Sequence, residues 1–335
     1  MGDPRMIVAD LPPIFYRVLA LVFGALWGSF FNVAIYRWPR DMSVVSPPSH
    51  CPACGAAVPW YRNLPILAFA LQRGRAACCG AKMTPRYLLV EILGAVIALA
   101  VMERTLRLAG VDAPITPTLL EALTLFVFGG ALLVAAFIDL EHMIIPDEVT
   151  LPGAALGLAT VALRPDLDAA DAALGAGVGY LTVQVLFVWS YEAVTGRRGM
   201  GEGDSKLLLL IGAFVGWQGS LFALVGGAMQ GLVVAILAIA LRRRMAPADE
   251  VSDDQGPFNQ PGPVEARCED REGAIAPLLE EPAEVEAAEE SEEDEEPLVA
   301  PRKLPFGPFL ALAALEWLFF GPTILDWYVG LFMTP

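Results

Sequence analysis

Charge is scarce in this sequence. Only 18% of its 335 residues are charged, while 56% are hydrophobic. Mean hydropathy is +0.54, which excludes an ordinary soluble domain, and apolar runs of about 20 residues read as membrane spans. No repeat period of the soluble kind is present, so a solenoid or propeller is excluded. A glycine-rich dinucleotide fingerprint is also missing, so no Rossmann-type cradle is expected. Histidine is limited to His50 and His142, and His142, alone in an interfacial loop, reads as a surface residue rather than a ligand. A cleavable signal peptide is not expected. The first apolar run, about 14–36, is long for a signal core and lacks a cleavage site, so it reads as a retained span.

The acidity that is present is local. Residues 246–297 hold 19 of the 38 acidic residues, with only Arg267 and Arg271 as bases. That segment carries −17 and the rest of the chain +1, against a total of −16. It is rich in Glu, Asp, Ala and Pro and poor in aromatics, as expected of a solvated linker. The remainder has too little net charge to suggest nucleic acid as a partner, and the lipid bilayer is the expected surroundings.

The expected fold class is an all-α polytopic membrane protein with about eight transmembrane helices and a small cytoplasmic zinc-binding loop domain. The spans fall near 14–36, 87–108, 118–138, 149–163, 171–191, 205–217, 219–241 and 306–333. The fourth and sixth are short for a full crossing. Five parts follow: 1–36, the first span; 37–86, a cysteine-rich domain; 87–245, the membrane core; 246–301, the acidic linker; and 302–335, the last span. Alternation places the loops 37–86, 139–148, 192–204 and 242–305 on one side. Those loops and their flanks carry 17 of the 22 basic residues, leaving only Arg5, Arg17, Arg104, Arg107 and Arg164 opposite. That side is therefore read as cytoplasmic.

The loop 37–86 contains Cys51-Pro52-Ala53-Cys54-Gly55 and then Cys78-Cys79-Gly80. A Cys-x-x-Cys turn followed by glycine suits one structural zinc ion, because two thiolates converge while the glycine frees backbone N–H groups toward sulfur. A reducing side of the membrane argues against disulfides, and no βαβ pattern supports a redox role. Cys51, Cys54, Cys78 and Cys79 are the expected ligands, with His50 an alternative fourth. Adjacent Cys78 and Cys79 are expected to reach one ion only with strain.

Two polar stretches interrupt the apolar core. Gly199-Met200-Gly201-Glu202-Gly203-Asp204-Ser205-Lys206 sits between apolar runs. Its glycines, Gly201 and Gly203 among them, let the backbone bend tightly. Asp204 reads equally as a helix N-cap and as a functional carboxylate at a membrane edge. Lys206 either pairs with a carboxylate or substrate or snorkels to the interface, and the latter is expected. The other stretch is Ile138-Asp139-Leu140-Glu141-His142-Met143-Ile144-Ile145-Pro146-Asp147. Pro146 ends one helix, and Asp147 reads as a helix-start carboxylate. Asp139 stands at a helix C-terminus, where the dipole disfavours it. The topology puts Asp139 and Asp204 on one face at similar depth. Two carboxylates brought together there hold one proton between them. One then serves as general base on water and the other as general acid, the chemistry of peptide hydrolysis.

These segments resemble those of the bacterial type IV prepilin peptidases, GxGD-type membrane aspartic proteases. The likeness rests on Gly28-Ser29-Phe30-Phe31-Asn32 through Arg37, Arg73-Gly74-Arg75, Pro85-Arg86-Tyr87 through Glu91, the two aspartate segments, and Leu304-Pro305-Phe306-Gly307-Pro308-Phe309. It covers nearly the whole chain except the acidic insert. The resemblance implies that Asp139 and Asp204 are the catalytic pair, with Gly201, Gly203, Pro146, Asp147 and Lys206 in the supporting loops. It implies an inner-membrane enzyme that cuts the short basic leader of type IV prepilins or type II secretion pseudopilins after a glycine. It also implies N-methylation of the new N-terminus with S-adenosylmethionine, whose site the sequence does not place; Glu91 and Gly94 are candidates. One departure stands out. Ala76 occupies a position where that family has cysteine, and Cys78 is displaced from it by two. An ion-coupled transporter and a non-enzymatic assembly factor are the rival readings of intramembrane acids.

Overall fold

The structure is a computed structural model. It describes residues 6–46, 48–51, 53–59, 64–196, 201–245 and 304–333. The acidic segment, Arg197 to Met200 and the last two residues lie outside the described residues. The chain divides into two units, Met1–Ile236 with Leu304–Pro335, and Leu237–Lys303. All that follows concerns the first.

The architecture is helical, and no strand longer than an isolated bridge occurs among the described residues. The helices are α1 (Pro13–Arg37), α2 (Leu67–Leu71), α3 (Pro85–Ala109), α4 (Ile115–His142), α5 (Asp147–Ala159), α6 (Ala169–Leu181), α7 (Ser190–Thr195), α8 (Glu202–Met245) and α9 (Gly307–Met333). A π-helical stretch, Thr182–Trp189, joins α6 to α7 into one long segment. Proline opens α1 and α3 at the first turn, where its missing N–H costs nothing. Helix is the only element here that satisfies its own backbone in lipid.

Six helices or helical runs are long and apolar enough to cross a membrane: Pro13–Arg40, Pro85–Ala109, Ile115–His142, Ala169–Thr195, Glu202–Leu241 and Gly307–Trp327. Eight were expected. The expected fourth span is α5, whose 13 residues extend about 20 Å against a hydrocarbon core of about 30 Å. The expected sixth and seventh are the two halves of α8, divided at Gly216 with φ 73° and ψ −178°. Only glycine takes that conformation without strain.

Packing uses small residues where helices cross. A Cβ at Gly94 of α3 would lie 2.7 Å from the Gly24 carbonyl oxygen and 3.0 Å from Gly28 Cα of α1. Such backbone approach is how helices associate where lipid removes the hydrophobic drive. Gly94 is thus committed to the α1–α3 crossing. Around this seam lie Phe31, Ile35, Val90, Phe128, Leu132 and Ile138, all buried.

Breaks in membrane helices leave carbonyls that need donors. Arg164, 3% exposed, meets two such ends. Its guanidinium donates to the Phe214 carbonyl at 2.8 Å, to Ala213 at 3.2 Å and to Gly157. These oxygens close the first half of α8 and the end of α5. On α9, Pro322 has no N–H for the Leu318 carbonyl four residues back. Arg104 Nε of α3 donates to that oxygen at 2.9 Å.

Candidate active site

Asp139 lies in the last turn of α4 and Asp204 in the first turn of α8. Both are buried, at 6% and 9% exposure, and the two carboxylates are within electrostatic reach of each other. The backbone N–H of Gly307, the first residue of α9, donates to Asp139 Oδ2 at 2.8 Å. That contact gives Asp139 the donor that its place at a helix C-terminus denies it. A Cβ on Gly307 would stand 2.8 Å from the same oxygen, so the close approach requires glycine. Gly203 packs on Ile145, with 3.0 Å to a notional Cβ. Gly201 lies near Asp204, where a Cβ would stand 3.7 Å from Oδ2.

Ser205, fully buried beside Asp204, has its hydroxyl 2.7 Å from the Glu202 carbonyl and 3.0 Å from Gln184 Oε1. Gln184 is 5% exposed and sits in the π-helical stretch, a widened turn often found at functional sites. Pro146 caps α5, and Asp147 is its first residue. Lys206 has a carboxylate partner. Its Nζ donates to both oxygens of Asp147 at 2.7 Å each. The pair ties the start of α5 to the start of α8, because the two helices bring opposite charges to one edge. Reasoning from sequence missed Gln184, Arg164 and the Gly307 contact. Lone polar residues inside apolar runs were the available signal for the first two. For the third, the segment Leu304 to Phe309 marked the place, but the partner, 168 residues away, was not marked.

The cysteine loop folds as two matched turns. Cys51 N–H donates to the Ala56 carbonyl at 2.8 Å, and Gly55 N–H to Cys51 at 2.8 Å. Ala76 N–H donates to Ala81 at 2.8 Å, and Gly80 N–H to Ala76 at 2.7 Å. The flanking bridges His50–Ala57 and Arg75–Lys82 correspond as well. Cys54 and Cys79 thus hold equivalent places, while Ala76 stands where Cys51 does and Cys78 where Ala53 does.

All four sulfurs lie within 4.8 Å of one another. Cys51–Cys79 is 3.8 Å, Cys54–Cys78 3.5 Å and Cys78–Cys79 3.9 Å. Sulfurs on a tetrahedral zinc at about 2.3 Å lie about 3.8 Å apart, so the donor set fits that ion. Adjacent Cys78 and Cys79 both bring their thiols into the cluster, and neither has a positive φ. His50 is turned away, with Nδ1 3.2 Å from the Pro48 carbonyl. Burial opposes ionisation of the Cys51 thiol, but the N–H groups of Ala53 and Cys54 and the neighbouring thiols outweigh it and bring it to about 7. The Cys78 thiol, sharing hydrogens with the Cys54 and Cys51 sulfurs, is pushed up to about 12. A cation that displaces those protons stabilises the whole cluster.

The sequence matches two family descriptions, "Bacterial Peptidase A24 N-terminal domain" over residues 22–105 and "Type IV leader peptidase family" over 126–236. A prepilin leader peptidase/N-methyltransferase of Myxococcus xanthus is 36% identical over 332 residues, 94% of each chain. One of Aeromonas hydrophila is 30% identical over 96% of each chain. One of Pseudomonas putida is 33% identical over 69% of this chain and 84% of its own. No solved structure matches.

Proposed function

Because the chain belongs to the type IV leader peptidase family, we propose that Asp139 and Asp204 are the catalytic pair with which it cuts prepilin leaders. It is a multi-pass membrane aspartic peptidase that cleaves type IV prepilin leaders and methylates the new N-terminus. One observation carries the assignment of the pair: two buried carboxylates from different helices within electrostatic reach, one of them gripped by a backbone N–H.

The reaction starts with one proton on the pair. The ionised carboxylate takes a proton from water as the water oxygen attacks the scissile carbonyl carbon. The protonated partner gives its proton to the carbonyl oxygen. The tetrahedral intermediate then collapses, the C–N bond breaks, and the proton drawn from water passes to the leaving amine. Gly307 N–H donates to Asp139 Oδ2 and holds that carboxylate in place, leaving Oδ1 open for proton exchange. The Lys206–Asp147 pair holds the two loops in register, and Ser205 ties the start of α8 to Gln184.

Cys51, Cys54, Cys78 and Cys79 hold a structural zinc ion that fastens a loop with little apolar core of its own. S-Adenosylmethionine, when bound, supplies a methyl group to the freed amine and leaves as S-adenosylhomocysteine. The site faces the cytoplasm of the inner membrane, as the distribution of basic residues supports. The substrates carry a short basic leader cut after glycine and include pseudopilins of type II secretion. The test is cleavage of a prepilin by the Asp139→Ala and Asp204→Ala proteins, with product termini read by mass spectrometry. Neither is expected to process it, and normal processing by either overturns the pair.

A further inference from the structure

Helix α4 carries an acid near each end. Asp139 stands in its last turn, and Glu121 stands 18 residues earlier, about 27 Å away along the helix. The catalytic reading uses the aspartate and leaves the glutamate without a task. Glu121 is 5% exposed, inside a helix apolar enough to cross a membrane. A carboxylate in such a place is costly and is kept only with a partner.

Its partners come from other elements. Arg104 Nη1 of α3 faces Glu121 Oε1 at 3.7 Å, an ion pair beyond hydrogen-bond distance. Neither of those two atoms has a hydrogen-bond partner among the described residues. Arg164 and Asp166, both ahead of α6, lie within electrostatic reach of the same carboxylate. Asp166 in turn pairs with Arg104. Two guanidiniums and two carboxylates therefore balance, which is the condition for keeping them largely out of water.

Each arginine has a second contact at this end of the bundle. Arg104 Nε holds the Leu318 carbonyl of α9 at 2.9 Å. Arg164 holds the Ala213 and Phe214 carbonyls, which end the half of α8 that begins beside Asp204 and stops at Gly216. Glu121 adds α4. One charge cluster thus reaches the three helices whose opposite ends form the site: α4 with Asp139, α8 with Asp204 and α9 with Gly307. Helices packed at interior density transmit a displacement along their length instead of absorbing it.

We propose that Glu121 is a positioning residue for the aspartate pair. It holds α4 against the two arginines that fasten α8 and α9, and so fixes the separation at which Asp139 and Asp204 meet. The proposal rests on the assignment of that pair and adds a residue that acts on it from the far end of the bundle. Glu121 touches neither the leader nor the reacting atoms. Without its charge, both guanidiniums are left to Asp166, and α4 loses its electrostatic tie to the elements that hold α8 and α9.

The test uses the full chain in nanodiscs with a prepilin substrate, each variant being measured below its own melting temperature. Glu121→Gln keeps the shape and removes the charge, and Glu121→Asp keeps the charge and withdraws it by one methylene. The expected fall in kcat is about tenfold or more for Glu121→Gln and about threefold or more for Glu121→Asp, with KM within about twofold. The bell-shaped pH dependence of kcat/KM should also narrow, because carboxylates held further apart interact less and their two apparent values converge. A lower melting temperature with kcat and the width of the bell unchanged would make Glu121 merely structural and overturn the proposal. Glu121→Asp gives the same readout should the neutral variant fail to fold. Glu121→Gln combined with Arg104→Gln removes one charge of each sign. It is expected to recover melting temperature but not rate, and recovery of the rate as well would mean that charge balance alone matters. Normal cleavage by Asp139→Ala or Asp204→Ala overturns the pair itself. With the pair standing, an unchanged bell in the Glu121 variants overturns this proposal alone.

Discussion

Gly307 and Asp139, 168 residues apart, meet through a 2.8 Å hydrogen bond from the glycine N–H to carboxylate Oδ2. The contact seats one carboxylate of the pair on the N-terminus of the last helix. A side chain at 307 would stand 2.8 Å from that oxygen and 3.2 Å from Cγ, so the carboxylate has to move. Misplacing a reacting group by about 1 Å costs about 100-fold. Gly307→Ala is therefore expected to lower kcat for leader cleavage by about that factor with KM little changed. An equal rise in KM with kcat preserved would assign Gly307 to substrate binding instead.

A proton shared by two carboxylates has a consequence for pH. The proposed mechanism needs one ionised and one protonated member, so kcat/KM is expected to be bell-shaped, with two apparent values belonging to the pair. Asp204→Asn and Asp139→Asn each leave one titrating carboxyl, so any residual activity should lose one limb. A rate independent of pH between the two limbs' expected extremes of acid and neutral would remove the shared proton from the mechanism.

The Lys206–Asp147 pair is partly exposed, 27% and 50% by side chain. Exposed pairs contribute about 0.2–1 kcal/mol. A double-mutant cycle with Lys206→Met and Asp147→Asn in thermal unfolding is expected to return a coupling in that range. A coupling near zero would mean that the pair holds no register between the two loops.

The second turn of the cysteine loop reproduces the hydrogen bonds of the first, with Ala76 in the place of Cys51. A thiol at 76 should then reach the same centre as one at 78. Cys78→Ala alone is expected to lose the metal, and Ala76→Cys with Cys78→Ala to regain about one zinc per chain. Chelation should render the segment 48–83 sensitive to protease in the wild type. Retention of zinc by Cys78→Ala would remove Cys78 from the ligand set.

The helices and the family were legible in the sequence because both are written locally. Apolar runs separated by glycine, proline and charge mark the spans, and Asp139, Asp204 and the paired cysteines fall in short recognisable segments. What was not legible depends on how distant segments meet. A carboxylate partner for Lys206 was one open reading, but Asp147 could not be named because it is 59 residues away. Glu91 and Gly94, three residues apart on α3, look alike as candidates until the crossing with Gly24 and Gly28 accounts for the glycine. Cys78 is displaced in the turn as it is in the sequence, standing where Ala53 does, but the fold still brings its thiol into the cluster. The break inside α8 at Gly216 falls between the expected sixth and seventh spans, but composition does not reveal that Arg164 supplies the donors such breaks require.

Arg164 supports the last prediction. Its guanidinium donates to carbonyls of Gly157, Ala213 and Phe214 and lies over the Phe214 ring at 4.8 Å. Removing it leaves several buried carbonyls without donors, each costing about 1–3 kcal/mol. It also frees the lower end of the half-helix that carries Asp204 at its upper end. Arg164→Gln is expected to destabilise the protein by about 3 kcal/mol or more in detergent unfolding, and Arg164→Lys by less, because one ammonium can still reach part of the set. At temperatures where Arg164→Gln remains folded, cleavage should fall through kcat, since the clamp acts on the position of Asp204 rather than on the leader. Stability within about 0.5 kcal/mol of the wild type would show that water or lipid groups satisfy the broken ends and that the clamp is dispensable.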